Sequence, residues 1–391
     1  MAAGIVPQTR SVPLALRNLI ANKRRLARSV AGIGFAVLLM LVQLGFERGF
    51  FDASLGIVHQ LDGDIVLMNK TKYRFGSEDP FPLADLAAAR TVAGVASVVP
   101  LYASWLHFFW KSPSDGKSYV VQVFAFDPAH PPFLLPAIRA ESARLEQPDT
   151  VIVDRRARSY LGMASGANET EINGRPVHIV GGFVLSPDFM SDGTVMMSAA
   201  TYARLSAGTA ASATALPIEF GVIRTKPGAD IAGVVTALRA AVPARLRVLT
   251  KSQLIAFERA FQAKLSSAGP IFWMGALVGF IVGMLISYQV IYSDLTDQLP
   301  QYATLKGMGY RTVYLVRVVF AQAALSALAA YVPAWLLCLV VYRVIGDVAL
   351  LPLRMTLAET LLSLGLTLGM CLLSAAFAIR RVVVLDPAEV F

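Results

Sequence analysis

Little in this sequence could perform covalent or redox chemistry. Its 391 residues include 2 cysteines and 4 histidines. Both cysteines, Cys338 and Cys371, lie inside apolar runs, so neither a disulfide framework nor a thiolate metal site can be built from them. His59, His107, His130 and His178 are scattered, with no i, i+4 pair of the kind that sets two imidazoles on one helix face. They read as ordinary structural or surface residues. No G-x-x-x-x-G-K-[ST] occurs, so the chain has no such phosphate cradle and cannot hydrolyse ATP by that route; G-x-S-x-G is missing as well. Charge is scarce: 16% of the residues are charged and 55% are hydrophobic, too apolar for an ordinary soluble protein. The chain is therefore an integral membrane protein with no cofactor of its own.

The charges that are present have a pattern. A net charge of +9 could signal nucleic acid, but the basic residues nearest the apolar runs gather at particular ends of them. Lys23, Arg24, Arg25 and Arg28 form one group, Lys306 and Arg311 a second, Arg380 and Arg381 a third. This is the excess of cations expected on the cytoplasmic side of a membrane, and it makes a lipid bilayer, not nucleic acid, the partner.

Four apolar runs organise the chain, at residues 29–51, 268–293, 313–343 and 355–379. Each reaches the roughly 20 residues needed to cross a bilayer as a helix. The first competes with a signal peptide, but its long charged lead-in, its length and the lack of an A-x-A-like site favour a retained span. Residues 1–28 read as an amphipathic helix on the cytoplasmic surface, with Val12, Leu16, Leu19 and Ile20 at helical spacing, serving as a plain anchor or also touching a cytosolic partner. Pro333 predicts a kink in the third run. A short outer loop, 344–354, and a tail, 380–391, complete a layout with both termini cytoplasmic. The runs carry almost no ionisable side chain near their middles, Glu359 and Arg317 sitting near ends, which argues against ion-driven transport.

Residues 52–264 have the composition of a soluble domain and fall outside the cytoplasm. Asp64–Met68 reads as a strand, Leu83–Arg90 as a helix after Pro82, and Val95–Val99 as a strand ending at Pro100. The same order returns at Ile218–Arg224, Ile231–Ala241 and Leu246–Leu249. Two β-α-β pieces far apart in the chain predict one α/β layer with a mostly β lobe inserted between them, at about 127–215. Within that lobe Thr150–Val153, Glu171–Ile172, Val177–Val184 and Thr194–Met197 are β-like, and Asn173-Gly174 marks a hairpin turn.

Two stretches stand out as sites. Gly275, Gly279 and Gly283 are four apart and form a smooth stripe on the second run, along which another helix can approach closely. That helix belongs either to the same chain or, as a dimer seam, to a second copy. The other site is the polar connection 294–311, DLTDQLPQYATLKGMGYR, too short to be a domain. Pro300 sits where a helix can start, and Gly307 and Gly309 where one should stop, predicting one or two turns lying across the membrane surface. Tyr302, Leu305 and Met308 fall on one side with Ala303 nearby and Lys306 adjoining, an apolar stripe that rests on headgroups or is presented to a partner protein.

At these residues the chain resembles a family. A membrane helix, an amide-rich turn, then YATLKGMGY and another membrane helix is similar to the coupling segment of the four-helix ABC permeases, the MacB/LolC/FtsX-like superfamily, and most similar in wording to the DevC-type exporter permeases. The amino-terminal PLALRNLIANKRRLA and the carboxyl-terminal VVVLDPAEVF carry the same resemblance. It implies that a separate ABC ATPase, holding ATP and Mg, grips Leu299, Gln301, Tyr302, Ala303, Leu305, Lys306, Gly307, Met308 and Gly309. It also implies a divided extracytoplasmic domain, a homodimer, a periplasmic membrane-fusion adaptor, an outer-membrane channel and a bacterial inner-membrane location. The expected function is a non-catalytic permease subunit that exports a lipid or hydrophobic cargo. A mechanical regulator of a periplasmic hydrolase and a membrane-anchored receptor are the alternatives.

Overall fold

The computed structural model describes residues 23–185, 191–207, 216–264, 268–308, 312–349 and 353–379. The amphipathic helix expected before residue 23 and the carboxyl-terminal motif after 380 lie outside the described residues. In chain order the elements begin with helix α1 (Lys23–Ser54) and the short α2 (Gly56–Gln60). Then come β1 (Ile65–Asn69), α3 (Ala87–Arg90), β2 (Val95–Ser104), β3 (Phe109–Lys111), β4 (Ser118–Val120) and β5 (Gln122–Phe126). Next are α4 (Pro136–Glu141), β6 (Thr150–Asp154), β7 (Glu169–Ile172), β8 (Arg175–Phe183), β9 (Thr194–Ser198) and α5 (Ala199–Ala207). The chain closes with β10 (Phe220–Thr225), α6 (Ile231–Ala241), β11 (Leu246–Thr250), α7 (Lys251–Lys264), α8 (Ala268–Gly307), α9 (Thr312–Ala349) and α10 (Leu357–Ala378).

These elements divide into two compact units, a helical one and a β-rich one. The helical unit contains apolar stretches long enough to cross a membrane at Leu26–Ser54, Pro270–Gln298, Val313–Gly346 and Leu357–Ala378. Its interior is built by Ile33, Val37, Met40 and Leu41 of α1, by Ala327, Ala330, Ala334 and Cys338 of α9, and by Met370 and Cys371 of α10. Small residues let the backbones come close, since apolar side chains gain no hydrophobic advantage over lipid. Hydroxyls tie neighbouring helices: Ser374 Oγ donates to the Met284 carbonyl at 2.7 Å and Tyr331 OH to that of Thr360 at 2.8 Å.

In the β-rich unit both predicted β-α-β pieces are present. Their strands lie in the order β11-β1-β10-β2 with all neighbours antiparallel, the split β-α-β arrangement. Asp230 caps α6, accepting from the backbone N–H of Ala232 and Gly233 at 3.1 and 3.0 Å, and Val234, Val235 and Leu238 turn inward. The sheet continues as β5-β9-β6-β8-β7-β3-β4 into the inserted lobe. Asn173 and Gly174, at φ 52° and 72°, make the two-residue turn between β7 and β8, as their left-handed preference predicts.

Two expectations change. The lobe does not begin at 127, because β3, β4 and β5 already belong to its part of the sheet. Nor does the second strand end at Pro100: β2 pairs with β10 through Leu101 and then with β5 from Tyr102 to Ser104. The Leu101 carbonyl accepts from Glu219 N at 3.1 Å, so Pro100 next to it faces the opposite edge, where β5 has not yet begun. Its missing N–H therefore leaves no ladder partner unsatisfied.

The loop after β1 is held by a buried charge. Lys72 is 1% exposed, with its Nζ on the carboxylate of Glu219 and the carbonyl of Ser77, and at 4.7 Å from the Phe220 ring centroid. Burial pulls the Lys72 ammonium below its usual range and pushes the Glu219 carboxyl above its own. Beside them Glu258 accepts from Phe75 N at 2.7 Å, and Phe75 stacks on Phe220 at 4.4 Å.

Candidate functional site

The connection between the second and third membrane helices is the stretch where the sequence placed the function, and its architecture differs from the expected one. Helix α8 runs without interruption to Gly307, with Pro300 inside it. Proline removes the bond its N–H would have donated to the carbonyl of Thr296, but the helix carries on across the gap. Thr296 and Thr304 on either side back-bond through their hydroxyls, to the carbonyls of Tyr292 and Pro300, each at 2.9 Å. The predicted surface helix beginning at Pro300 is thus the end of the membrane helix itself. It stops where the sequence puts a stop: Gly307 is the last helical residue, and Met308 N donates to the Thr304 carbonyl at 3.0 Å.

The base of this extension is firmly packed. Ile291 and Leu295 of α8 meet Leu315, Val319 and Ala323 of α9 and Ala375 and Ala378 of α10. Asp294 and Gln298 are 5% and 4% exposed, and Gln322 Nε2 donates to Asp294 Oδ2 at 3.4 Å. The sequence treated Asp294 as the start of a polar loop; the structure makes it the inner end of a packed helix, its carboxylate facing an amide across the interface. Beyond Gln298 the character changes: Pro300, Gln301 and Thr304 are exposed, and Met308 is 63% exposed. Nine residues from Leu299 to Gly307 extend about 13 Å past the packed base at roughly 1.5 Å per residue. Of the residues assigned to coupling by the resemblance, Gln301 and Met308 are exposed, while the side chains of Leu299, Tyr302, Ala303, Leu305, Lys306 and Gly307, and all of Gly309, lie outside the described residues.

The glycine stripe packs against helices of its own chain. A Cβ on Gly275 would lie 2.5 Å from Gln43 Nε2, one on Gly279 3.5 Å from Met40 Cγ, and one on Gly283 3.0 Å from the Ala36 Cβ. Gln43, Met40 and Ala36 all belong to α1, and Gln43 also donates to the Phe272 carbonyl at 3.2 Å. Within the chain the stripe is therefore lined by α1 and, at Gly283, by Met370 of α10, whose Sδ would lie 2.6 Å from the added Cβ. Gly279→Ala should fit, because its new methyl would sit at ordinary contact distance, whereas Gly279→Leu should separate α1 from α8 and lower the thermal midpoint of the detergent-solubilised chain. Equal melting of both variants and the parent would show that the seam is not a close one.

A third feature ties α1 to the start of α10. Thr356 and Glu359 form a capping box at the start of α10, each side chain bonded to the other's backbone N–H. Arg48 Nη1 joins it, at 2.6 Å from Thr356 Oγ1 and 3.2 Å from Glu359 Oε1. The spacing T-x-x-E announces such a cap; only the fold brings α1 to it.

Comparison with known proteins agrees with this architecture. Residues 27–241 match the MacB-like periplasmic core domain, and residues 273–387 match the FtsX-like permease C-terminal region. The chain belongs to the family of ABC transporter permeases with a MacB-like periplasmic core domain. Relatives named as uncharacterised ABC transporter permeases in two strains of Mycobacterium tuberculosis are 24% identical over 382 residues, covering 96% of this chain and 98% of the relative. Among solved structures, the extracellular domain of the noncanonic ABC-type transporter YknZ from Gram-positive bacteria aligns at 12% identity over 48% of this chain and 98% of its own, with a TM-score of 0.31. A permease domain from Porphyromonas gingivalis aligns at 14% identity over 49% of this chain and 89% of its own, with a TM-score of 0.29. Four membrane-crossing helices and a large extracytoplasmic α/β domain with an inserted β lobe are thus the permease subunit's plan.

Proposed function

We propose that the chain converts ATP hydrolysis on a separate ABC ATPase into movement of its extracytoplasmic domain, and so drives export of a lipid or other hydrophobic cargo. The observation that carries this reading is the unbroken α8, packed as far as Gln298 and projecting beyond it to an exposed tip. A continuous helix transmits a push on its end to the whole membrane bundle, which a flexible surface loop would absorb. In this reading the tip and both ends of the chain are cytoplasmic, consistent with the exposed Lys23, Arg24 and Arg28 at the start of α1. The chain itself supplies no catalytic group, and ATP and Mg are held by the partner.

The assembly proposed on the DevC-type resemblance is a homodimer in a bacterial inner membrane, working with a periplasmic membrane-fusion adaptor and an outer-membrane channel. The size of the two-lobed domain supports export over regulation of a hydrolase. Affinity purification of the intact tagged chain in mild detergent should bring down an ATPase carrying the phosphate-cradle motif this chain lacks. Repeated recovery of the chain without any such ATPase, from cells that contain one, would overturn the reading.

A further inference from the structure

The β-rich unit contains a cleft of about 630 Å³ that the coupling function does not use, within the 300–1,000 Å³ usual for small-molecule sites. One wall is sheet: Ser97 and Val99 lie two apart on β2, and Arg224 of β10 is the registered partner of Ser97. The other wall is the proline-rich stretch Pro128–Pro132 with Arg139 and Ser142 beyond it. Asp62 lies between the walls. Its Oδ2 accepts from a guanidinium nitrogen of Arg139 and from one of Arg224, one arginine from each lobe.

This geometry is rigidly held. Asp62 N donates to the Pro132 carbonyl at 2.8 Å, Leu134 N to that of Gln60 at 2.7 Å, and Arg139 Nε to that of Phe133 at 2.9 Å. His130 is bonded to Asp127 at 3.2 Å, which fixes the turn at the rim. Charge in the cleft does not balance. Of the charged side chains that line it, Arg139 and Arg224 face the single carboxylate of Asp62; Lys251, bonded to the Leu61 carbonyl at 2.7 Å, stands near Asp62 and Asp64 outside that lining. The Asp64 carboxylate is meanwhile occupied by the N–H and hydroxyl of Thr225. Two guanidiniums converging on a single oxygen retain donors that one carboxylate cannot satisfy.

We propose that this cleft binds a compact oxyanion, a phosphate or carboxylate group attached to a small apolar body. Arg139 and Arg224 would hold the anion in the place Asp62 partly fills, while Val99, Pro128, Pro131 and Pro132 would face the body. Asp62 then acts as a built-in competitor that keeps the two arginines in position while the site is empty. The site is independent of ATPase coupling, and its failure would leave that reading untouched.

The test uses the full chain in detergent micelles and phenyl phosphate as probe, followed by its phosphorus line broadening. A competitor and a holder should respond in opposite directions. Asp62→Asn should tighten binding by about tenfold, and Arg224→Gln should weaken it by about tenfold, with Arg224→Lys between the parent and Gln, since an ammonium lacks the planar fork. Arg139→Gln serves as a second holder variant should Arg224→Gln fail to fold. If nanodiscs of phosphatidylglycerol, but not of phosphatidylcholine, displace the probe, the natural ligand is a lipid headgroup; displacement by neither makes it a free anion. The proposal is overturned if the parent does not broaden the probe signal at millimolar concentration, or if Asp62→Asn and the arginine variants shift affinity in the same direction.

Discussion

Replacing Leu305 with glutamate will leave the chain expressed and inserted, yet strip it of its ATPase and abolish export. The substitution falls on the end of α8, past Gln298, where the neighbouring Gln301 and Thr304 are exposed. A glutamate is also a good helix former, so the rod itself survives. What changes is the face offered to the partner. Losing one well-seated apolar anchor costs on the order of 2 kcal/mol, and a carboxylate buried in the same groove without a counter-charge costs more. Together these exceed the roughly 2.7 kcal/mol that separates a hundredfold change in affinity. Co-purification and transport assays on Leu305→Glu read both effects directly. Normal recovery of the ATPase with normal transport would reduce this tip to a surface ornament and remove the main support for mechanical coupling.

The second large effect is expected in the β-rich unit. Lys72→Met fills similar volume but leaves Glu219 buried beside Phe220 with no cation, and should lower the unfolding free energy by about 3–5 kcal/mol, the usual cost of breaking a buried ion pair from one side. Denaturant titration of the intact chain, followed by tryptophan emission, measures it, because Trp105 lies in the same cluster. The deficit should depend on pH with a defined sign. Burial raises the folded-state pKa of Glu219 above its ordinary 4.5, so the folded state takes up a proton more readily than the unfolded one. Its relative stabilisation is complete below 4.5 and is lost as pH climbs through the raised value, so the variant should be least impaired in acid and most impaired at neutrality. Removing the carboxylate too, in Lys72→Met with Glu219→Leu, should restore most of the loss, since the paired apolar replacements leave no charge uncompensated. An unchanged midpoint in the single variant would mean that water reaches the pair.

Much of this architecture could be read from residue order, and the physical reason is locality. Apolar length alone announces the four crossing helices, and a two-residue Asn-Gly turn specifies its hairpin without help from distant parts of the chain. The first β-α-β piece was legible because Pro82 punctuates the start of its helical turn, and the second repeats the same order of strand, helix and strand. Strands β3 and β4 were not, since three residues such as Ser118–Val120 carry no usable periodicity and pair only because the sheet edge is there. Helix α5 escaped as well, although Ser198 accepting from Thr201 N at 3.1 Å is a readable amino-terminal cap. At the site, composition located the connection, but reading Pro300 as a helix start misplaced it, because it lies within a long helix where back-bonding threonines flank it. The stripe of glycines could not name its neighbour: spacing defines a smooth face, and only the fold shows that Met40 and Gln43 cover it.

Strand β2 sets a limit on how this domain can be taken apart. Val95–Leu101 hydrogen-bonds into one lobe and Tyr102–Ser104 into the other, with no intervening loop. A graft that exchanged the inserted lobe for that of a relative would have to be spliced within an extended backbone, where a shift of one residue turns every side chain to the opposite face. Inheritance faces the same restriction: new lobes can diversify at the edge formed by β3 and β4, but the root they share with the α/β layer must descend as a single piece.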